Sequence, residues 1–225
     1  MPNPPPPDPP PVKKRSKAEI AAICATAAAV CAPLTQTSEG YRSKPYLDPA
    51  HVLTVCYGET ENIDPAAIYS KNQCAAKLRK RLAEDYAPRV LACLPMLDER
   101  HIKVFGALLD ASYNAGSVAV CRSRMAVQIR AGHWMAACNG FLGWYTTARV
   151  RGTNPPQRIV LKGLVIRRQK EAALCREGVN AAASTNPAGT GVVPVVPDSN
   201  PVDQRRPAAA EPWWHRLLRH LGIVK

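Results

Sequence analysis

The sequence predicts an α+β chain that is mainly α, with a small N-terminal β lobe and a helical C-terminal lobe. Two observations carry that prediction. β-type residues and turn signals cluster between residues 41 and 62. From residue 72 onward apolar residues recur at helical spacing until about residue 177. The remaining chain divides into extensions: a proline-rich, basic arm over 1–17, a weakly apolar segment over 18–35, a linker over 181–211 and a basic amphipathic segment over 212–225, around a folded domain at 36–180.

In chain order, residues 1–12 are mostly proline. Proline lacks an amide donor and fixes φ, so this arm is extended rather than helical. Lys13, Lys14, Arg15 and Lys17 follow, and then the alanine-rich stretch Ile20 to Leu34, which ends around Pro33. Basic residues before a short apolar run resemble the front of a signal sequence. The run is short for a membrane span, which needs about 20 residues. The other reading is an ordinary first helix with one buried face, and both stay open here.

Val52, Leu53, Thr54, Val55 and Tyr57, set among the turn signals Asp48-Pro49 and Gly58, predict a small sheet or hairpin. Cys74, Leu78, Leu82, Tyr86 and Val90 recur every four residues and mark a helix that Pro95 stops. Asp98 is placed to cap the next helix, which carries Ile102, Phe105, Leu108, Leu109 and Tyr113 and ends at Gly116. Met125 and Ile129 mark a short helix; Trp134, Ala137, Cys138 and Phe141 mark another. After Pro155-Pro156 a final helix spans about 158–177 and bears Arg167, Arg168 and Glu171. Residues 181–211 are rich in Ala, Pro, Gly, Ser and Asn and read as a disordered linker. In 212–225, Trp214, Leu217, Leu218, Leu221 and Val224 fall on one helical face, with His215, Arg216, Arg219 and His220 mostly elsewhere. That pattern suits an anionic membrane surface or docking onto a partner.

The formal charge of +13 predicts attraction to polyanions. The basic residues are spread along the chain without interleaved aromatics, which argues against nucleic acid and leaves an anionic membrane or the acidic cell wall. Eight cysteines, with no CxxC pair and no Cys/His cluster of zinc-finger spacing, favour disulfides in an oxidising compartment over a structural metal. Burial as small hydrophobes is the alternative. Neither a metal nor an organic cofactor is implied.

The chemistry concentrates in Glu39-Gly40-Tyr41-Arg42-Ser43-Lys44-Pro45-Tyr46-Leu47-Asp48 and Leu53-Thr54-Val55-Cys56-Tyr57-Gly58. Cleaving a glycosidic bond commonly takes two carboxyl groups, one donating a proton and one ionised. Glu39 precedes a glycine that can end a helix. At a helix C-terminus the dipole disfavours negative charge, which suits a general acid. Asp48 lies in a turn entering the sheet, a more solvated place where it stays ionised, and the Thr54 hydroxyl could hold a water. Two acids in divergent surroundings make an acid/base division plausible.

This pattern resembles the phage lysozyme family related to the T4 enzyme (glycoside hydrolase family 24), especially phage endolysins with an N-terminal signal-arrest-release segment. That family carries Glu, eight residues, Asp, five residues and Thr, which Glu39, Asp48 and Thr54 match. Asn72-Gln73-Cys74, Ala111-Ser112-Tyr113-Asn114-Ala115-Gly116 and Gly163-Leu164-Val165-Ile166-Arg167-Arg168 resemble later family motifs in the same order. The resemblance covers roughly residues 20–180 and implies a lysozyme-like fold. It also implies hydrolysis of the β-1,4 bond between N-acetylmuramic acid and N-acetylglucosamine in bacterial peptidoglycan, for host cell lysis.

By the same resemblance Glu39 is the acid, while Asp48 and Thr54 position water or stabilise positive charge at the sugar, with inversion at the anomeric carbon. Tyr113 and Asn114 either line the cleft and bind substrate or pack the helix end. The resemblance also implies the pairs Cys56–Cys74, Cys93–Cys121 and Cys138–Cys175. An aspartate at 48 separates the chain from relatives whose catalytic residue is a caged cysteine. Glu59 stands where many relatives have histidine and is expected to be exposed or structural. Signal-arrest-release relatives imply a monomeric enzyme of the host periplasm, tethered to the inner membrane through 18–35 before release. The competing functions are a lytic transglycosylase using Glu39 alone, and a membrane-disrupting or wall-binding protein acting through 212–225.

Overall fold

The computed structural model describes residues 14–48, 51–149 and 157–184. The proline arm, nearly all of the expected linker and the 212–225 segment lie outside the described residues.

The first helix, α1 (Lys17–Glu39), begins at a capping box in which Ser16 and Glu19 exchange hydrogen bonds between side chain and backbone. Its buried stripe is Ile23, Cys24, Ala27, Ala28, Cys31, Ala32 and Thr35, the spacing of one helical face. In this folded state the weakly apolar segment is therefore a core helix, and the packed unit starts at Lys17 rather than at residue 36. The helix also runs through Pro33, which sits on its exposed side, instead of ending there. Small residues let α1 lie close against α4 (Ile102–Ala115): a Cβ added at Gly106 of α4 would stand 2.8 Å from Val30 Cγ1.

Gly40, at φ 74°, ends α1 in a conformation that side-chain-bearing residues rarely adopt. The chain then forms the antiparallel hairpin β1 (Arg42–Leu47) and β2 (Leu53–Cys56), with Tyr46 opposite Thr54 and Leu47 opposite Leu53. The register slips between Arg42 and Tyr46, where Pro45 has no amide to contribute to the ladder. A disulfide from Cys56 to Cys74 ties β2 to α2 (Lys71–Arg81).

The run expected to be one helix is α2, a π-helical turn at Leu82–Tyr86, and α3 (Ala87–Cys93). The cause is legible in the spacing. Apolar residues four apart overshoot a 3.6-residue turn by about 40° at each step, so a straight α-helix would carry the stripe off the core. The wider turn restores it, and Pro88, without an amide to donate, sits just past that turn. Asp98 caps a 3₁₀ turn, Glu99–His101, that leads into α4. From Val104 to Ala115 all but one residue of α4 is buried, so this helix is the axis around which the rest packs. Of the helices α5 (Ser117–Cys121), α6 (Arg124–Arg130) and α7 (Trp134–Asn139), α5 packs on α4, α6 on α7 and α7 on the last helix.

The last helix, α8 (Lys162–Ser184), starts four residues later than expected and runs seven further. Its anticipated first residues, Arg158–Val160, are instead β4, paired antiparallel with β3 (Thr147–Arg149). That hairpin was not foreseen: β4 is exposed throughout, so it carries no alternating pattern.

Two more disulfides join Cys93 to Cys121 and Cys138 to Cys175. Cys24 and Cys31 are buried and free. The Cys138–Cys175 bond closes a 37-residue separation between α7 and α8. Closing such a loop in the unfolded chain is worth about 4 kcal/mol, so a Cys138→Ala/Cys175→Ala variant should lose about that much unfolding free energy and show a lower denaturant midpoint. A midpoint equal to wild type would show that the bond adds nothing beyond the packing of α7 on α8.

Candidate active site

Glu39 ends α1 as the sequence implied, and its side chain is only 1% exposed. One carboxylate oxygen, Oε1, accepts from Arg167 Nη1 of α8 at 2.6 Å. The other, Oε2, faces the turn after β2: a Cβ at Gly58 would lie 3.9 Å from it and 3.5 Å from the Tyr113 hydroxyl. That turn is tight because Val55 and Glu59 exchange both backbone hydrogen bonds across it. Cys56 and Gly58 both take positive φ there. The Tyr113 hydroxyl donates to the Tyr57 carbonyl at 2.8 Å and so pins the turn to α4. Burial drives the Tyr113 hydroxyl pKa well up, and the charge on Glu39 adds to it.

Asp48 and Thr54 sit on the hairpin. Asp48 follows the last residue of β1, and its Oδ1 accepts from the Val52 amide at 2.9 Å. The Asp48 amide donates to the Val52 carbonyl at 3.0 Å, and Thr54 Oγ1 donates to that same carbonyl at 3.0 Å. The expectation of a solvated Asp48 is corrected: it is 6% exposed, and Thr54 is 3% exposed. Tyr46 brings the two acids into one neighbourhood. Its hydroxyl pKa is raised first by burial, against the pull of Arg42, and then by the charges of both Asp48 and Glu39.

Glu59 proves structural. Its Oε1 accepts from the amides of Thr60 and Glu61 and from Arg81 Nη1 at 3.1 Å, fastening the hairpin's end to α2. Asn114 is 1% exposed and accepts from Arg168 Nη2. Tyr113 is likewise engaged with protein on the hairpin side.

The residues that sequence reasoning left out of the site lie beneath Glu39. Arg167 is 4% exposed and Asp110 is 0% exposed. Arg167 Nε donates to Asp110 Oδ2 at 2.8 Å and Nη2 donates to Oδ1 at 2.9 Å, a two-point contact. Thr35 Oγ1 of α1 donates to the same Oδ1 at 2.7 Å. Burial works against the charge on Asp110, but the Arg167 guanidinium and these hydrogen bonds hold its carboxyl below the usual carboxylate range. Next to it, Arg168 pairs with Glu171 at 2.7 Å, both fully buried, and lies 5.1 Å from the centre of the Trp144 ring. Burial pushes the Glu171 carboxyl well up and the Arg168 guanidinium down. One signal was available: a single aspartate inside the apolar run Val104–Ala111 needs a buried partner, and two arginines on an otherwise packed helix can supply it.

A cavity of about 350 Å3 opens beside this network, lined by Thr37, Ser38, Asn114, Gly163, Arg167 and Lys170 among others. Neither Asp48 nor Thr54 lines it. Among the described residues no three His, Cys, Asp or Glu side chains are grouped to hold a metal ion.

Comparison with known proteins gives concordant matches. Residues 36–171 match the model of the family described as phage lysozyme. The SAR-endolysin of Bacteriophage PS119 is 32% identical over 144 residues, covering 62% of this chain and 77% of the relative. The endolysin of Acyrthosiphon pisum secondary endosymbiont phage 1 is 31% identical over 147 residues, covering 63% and 91%. Among solved structures, a P22 lysozyme mutant superposes with TM-score 0.51 at 19% identity, covering 73% of this chain and 99% of that one, a likeness of fold.

Proposed function

The chain belongs to the phage lysozyme family, and on that premise we propose that Glu39 is the general acid of its reaction and that Asp48 and Thr54 serve the attacking water. The protein is a phage endolysin, a lysozyme that degrades the peptidoglycan of the bacterial host. The bond cut is the β-1,4 link between N-acetylmuramic acid and N-acetylglucosamine.

The observation that carries this reading is the unlike placement of the two acids. Glu39 is shut in between α1, α4, α8 and the Gly58 turn, with one oxygen on Arg167. Asp48 is fixed on the hairpin by the Val52 amide, next to a threonine hydroxyl. On this reading Glu39 donates a proton to the glycosidic oxygen while a water held at the hairpin attacks the anomeric carbon directly, so that the configuration inverts. Asp48 draws off a proton as the water attacks, and Thr54 keeps that water in line. The anomeric configuration of the newly formed end, read by NMR within seconds of cleavage, tests this. Inversion is expected; retention would remove the water from Asp48 and Thr54 and make Asp48 a nucleophile.

We further propose that α1 rests in the inner membrane of the host before it becomes the first helix of the periplasmic enzyme. An 18-residue window within its 23 residues reaches a mean hydropathy of 1.7, long and apolar enough to cross a bilayer by length and composition. Three relatives named SAR-endolysin match this chain. Its outward face in the folded state includes Ala22, Ala25 and Ala29. Replacing these three by leucine should leave the core intact and favour the bilayer by about 1–2 kcal/mol in total. The variant should then sediment with membranes and lyse cells later. Wild-type protein found wholly in the soluble fraction from the start, with the variant alike, would contradict the tether.

A further inference from the structure

We propose that Asp110, out of reach of any substrate, is a positioning residue for catalysis: it grips two nitrogens of Arg167 and offsets that cation, so that Glu39 can stand beside it and still carry a proton. This deepens the reading of Glu39 as the acid and rests on it.

The geometry around Glu39 holds a conflict. A general acid must hold its proton at working pH. An arginine 2.6 Å from a carboxyl, shut away from solvent, favours the ionised form. Left alone, Arg167 would strip Glu39 of the proton it has to donate. The guanidinium is not left alone. Its Nε and Nη2 edge is taken by Asp110, and only Nη1 remains for Glu39. The cation is thus shared unequally, two contacts to the aspartate and one to the acid. Thr35 completes the arrangement. It lies four residues before Glu39 on the same face of α1, and its hydroxyl donates to Asp110. When α1 docks on α4, one helix therefore delivers both the acid and the hydrogen bond that orients the counter-charge.

The other groups near Glu39 act in both senses. Tyr113 of α4 and Tyr46 of β1 both feel the charge of the carboxyl; Tyr113 also feels Glu59 and Arg81, and Tyr46 also feels Asp48 and Arg42. Asp110 is faced by Thr35 and Cys31 from α1 and by Arg167 and Glu171 from α8. Of these, Glu171 gains charge when Asp110 loses it, which trims the effect described below without reversing it.

The test compares full-length wild type with Asp110→Asn and with Asp110→Ser, a smaller neutral residue that cannot press an amide hydrogen against the guanidinium. Two readouts are taken on each: the titration of the Glu39 carboxyl by NMR with labelled glutamate, and the pH profile of kcat/KM. Both variants should titrate Glu39 about one pH unit lower, a tenfold change in its protonation equilibrium, and the alkaline limb of activity should move down with it. Val104→Ala, a core substitution on the same helix, should leave both unmoved while lowering stability. A Glu39 titration unchanged in either folded variant overturns the proposal and makes Asp110 a scaffold residue only. If the carboxyl titration moves while the activity limb stays, the role of Asp110 stands and the reading of Glu39 as the acid falls.

Discussion

Replacing Glu39 by glutamine should lower peptidoglycan cleavage by about 10²- to 10⁴-fold, the range that a positioned proton donor contributes, while the fold persists. The amide keeps an oxygen for Arg167 Nη1, and Arg167 keeps its two contacts to Asp110. The melting temperature should therefore fall by only a few degrees, at about 2–4 °C per kcal/mol for a domain of this size. Turbidity clearing and a thermal melt on the same preparation separate the two effects. Retention of more than about a tenth of wild-type activity, with melting unchanged, would mean that the proton comes from another group.

The second large effect is on stability. Arg167→Met should destabilise the protein by about 3–5 kcal/mol, because removing one partner of a buried ion pair strands the other. Here two acids are stranded, Asp110 and Glu39, whose side chains are 0% and 1% exposed. The loss should also depend on pH. Arg167 holds the Asp110 carboxyl below its unfolded value. The stability from that contact is complete above the unfolded carboxyl value of about 3.9 and vanishes as the pH drops through the folded one. Wild type and variant should thus differ most near neutrality and converge in acid. Equal denaturant midpoints at pH 7 would show that the network is dispensable. Arg167→Lys keeps the charge but not the two-point fork and should fall between the two.

These predictions mark where sequence reading succeeds and where it stops. The placement of Glu39 at a helix end and of Asp48 and Thr54 on the hairpin after it is legible because they lie within one short stretch of turn and strand residues; their roles come from the resemblance alone. Arg167 stands 128 residues from Glu39 and 57 from Asp110, and nothing local announces that the three meet. A turn position reads as solvated because turns usually are, whereas Asp48 is buried and exchanges hydrogen bonds with the Val52 backbone. The dual character of α1 was legible as an ambiguity, since a run of alanines fits both a weak membrane segment and a helix packed tightly on Gly106. The π turn was present in the four-residue spacing from Cys74 to Val90 but reads as ordinary helix unless the angular drift is summed. The hairpin of β3 and β4 left no trace because exposed three-residue strands impose no pattern.

The most direct test of the account is the chemistry of the ends that the full-length enzyme leaves on purified peptidoglycan, separated by chromatography and identified by mass, alongside Glu39→Gln. The account predicts reducing N-acetylmuramic acid ends, formed by wild type and lost in the variant. Anhydro-muramic ends would contradict it, since they form without the water that Asp48 and Thr54 are held to deliver, and would make the protein a lytic transglycosylase using Glu39 alone.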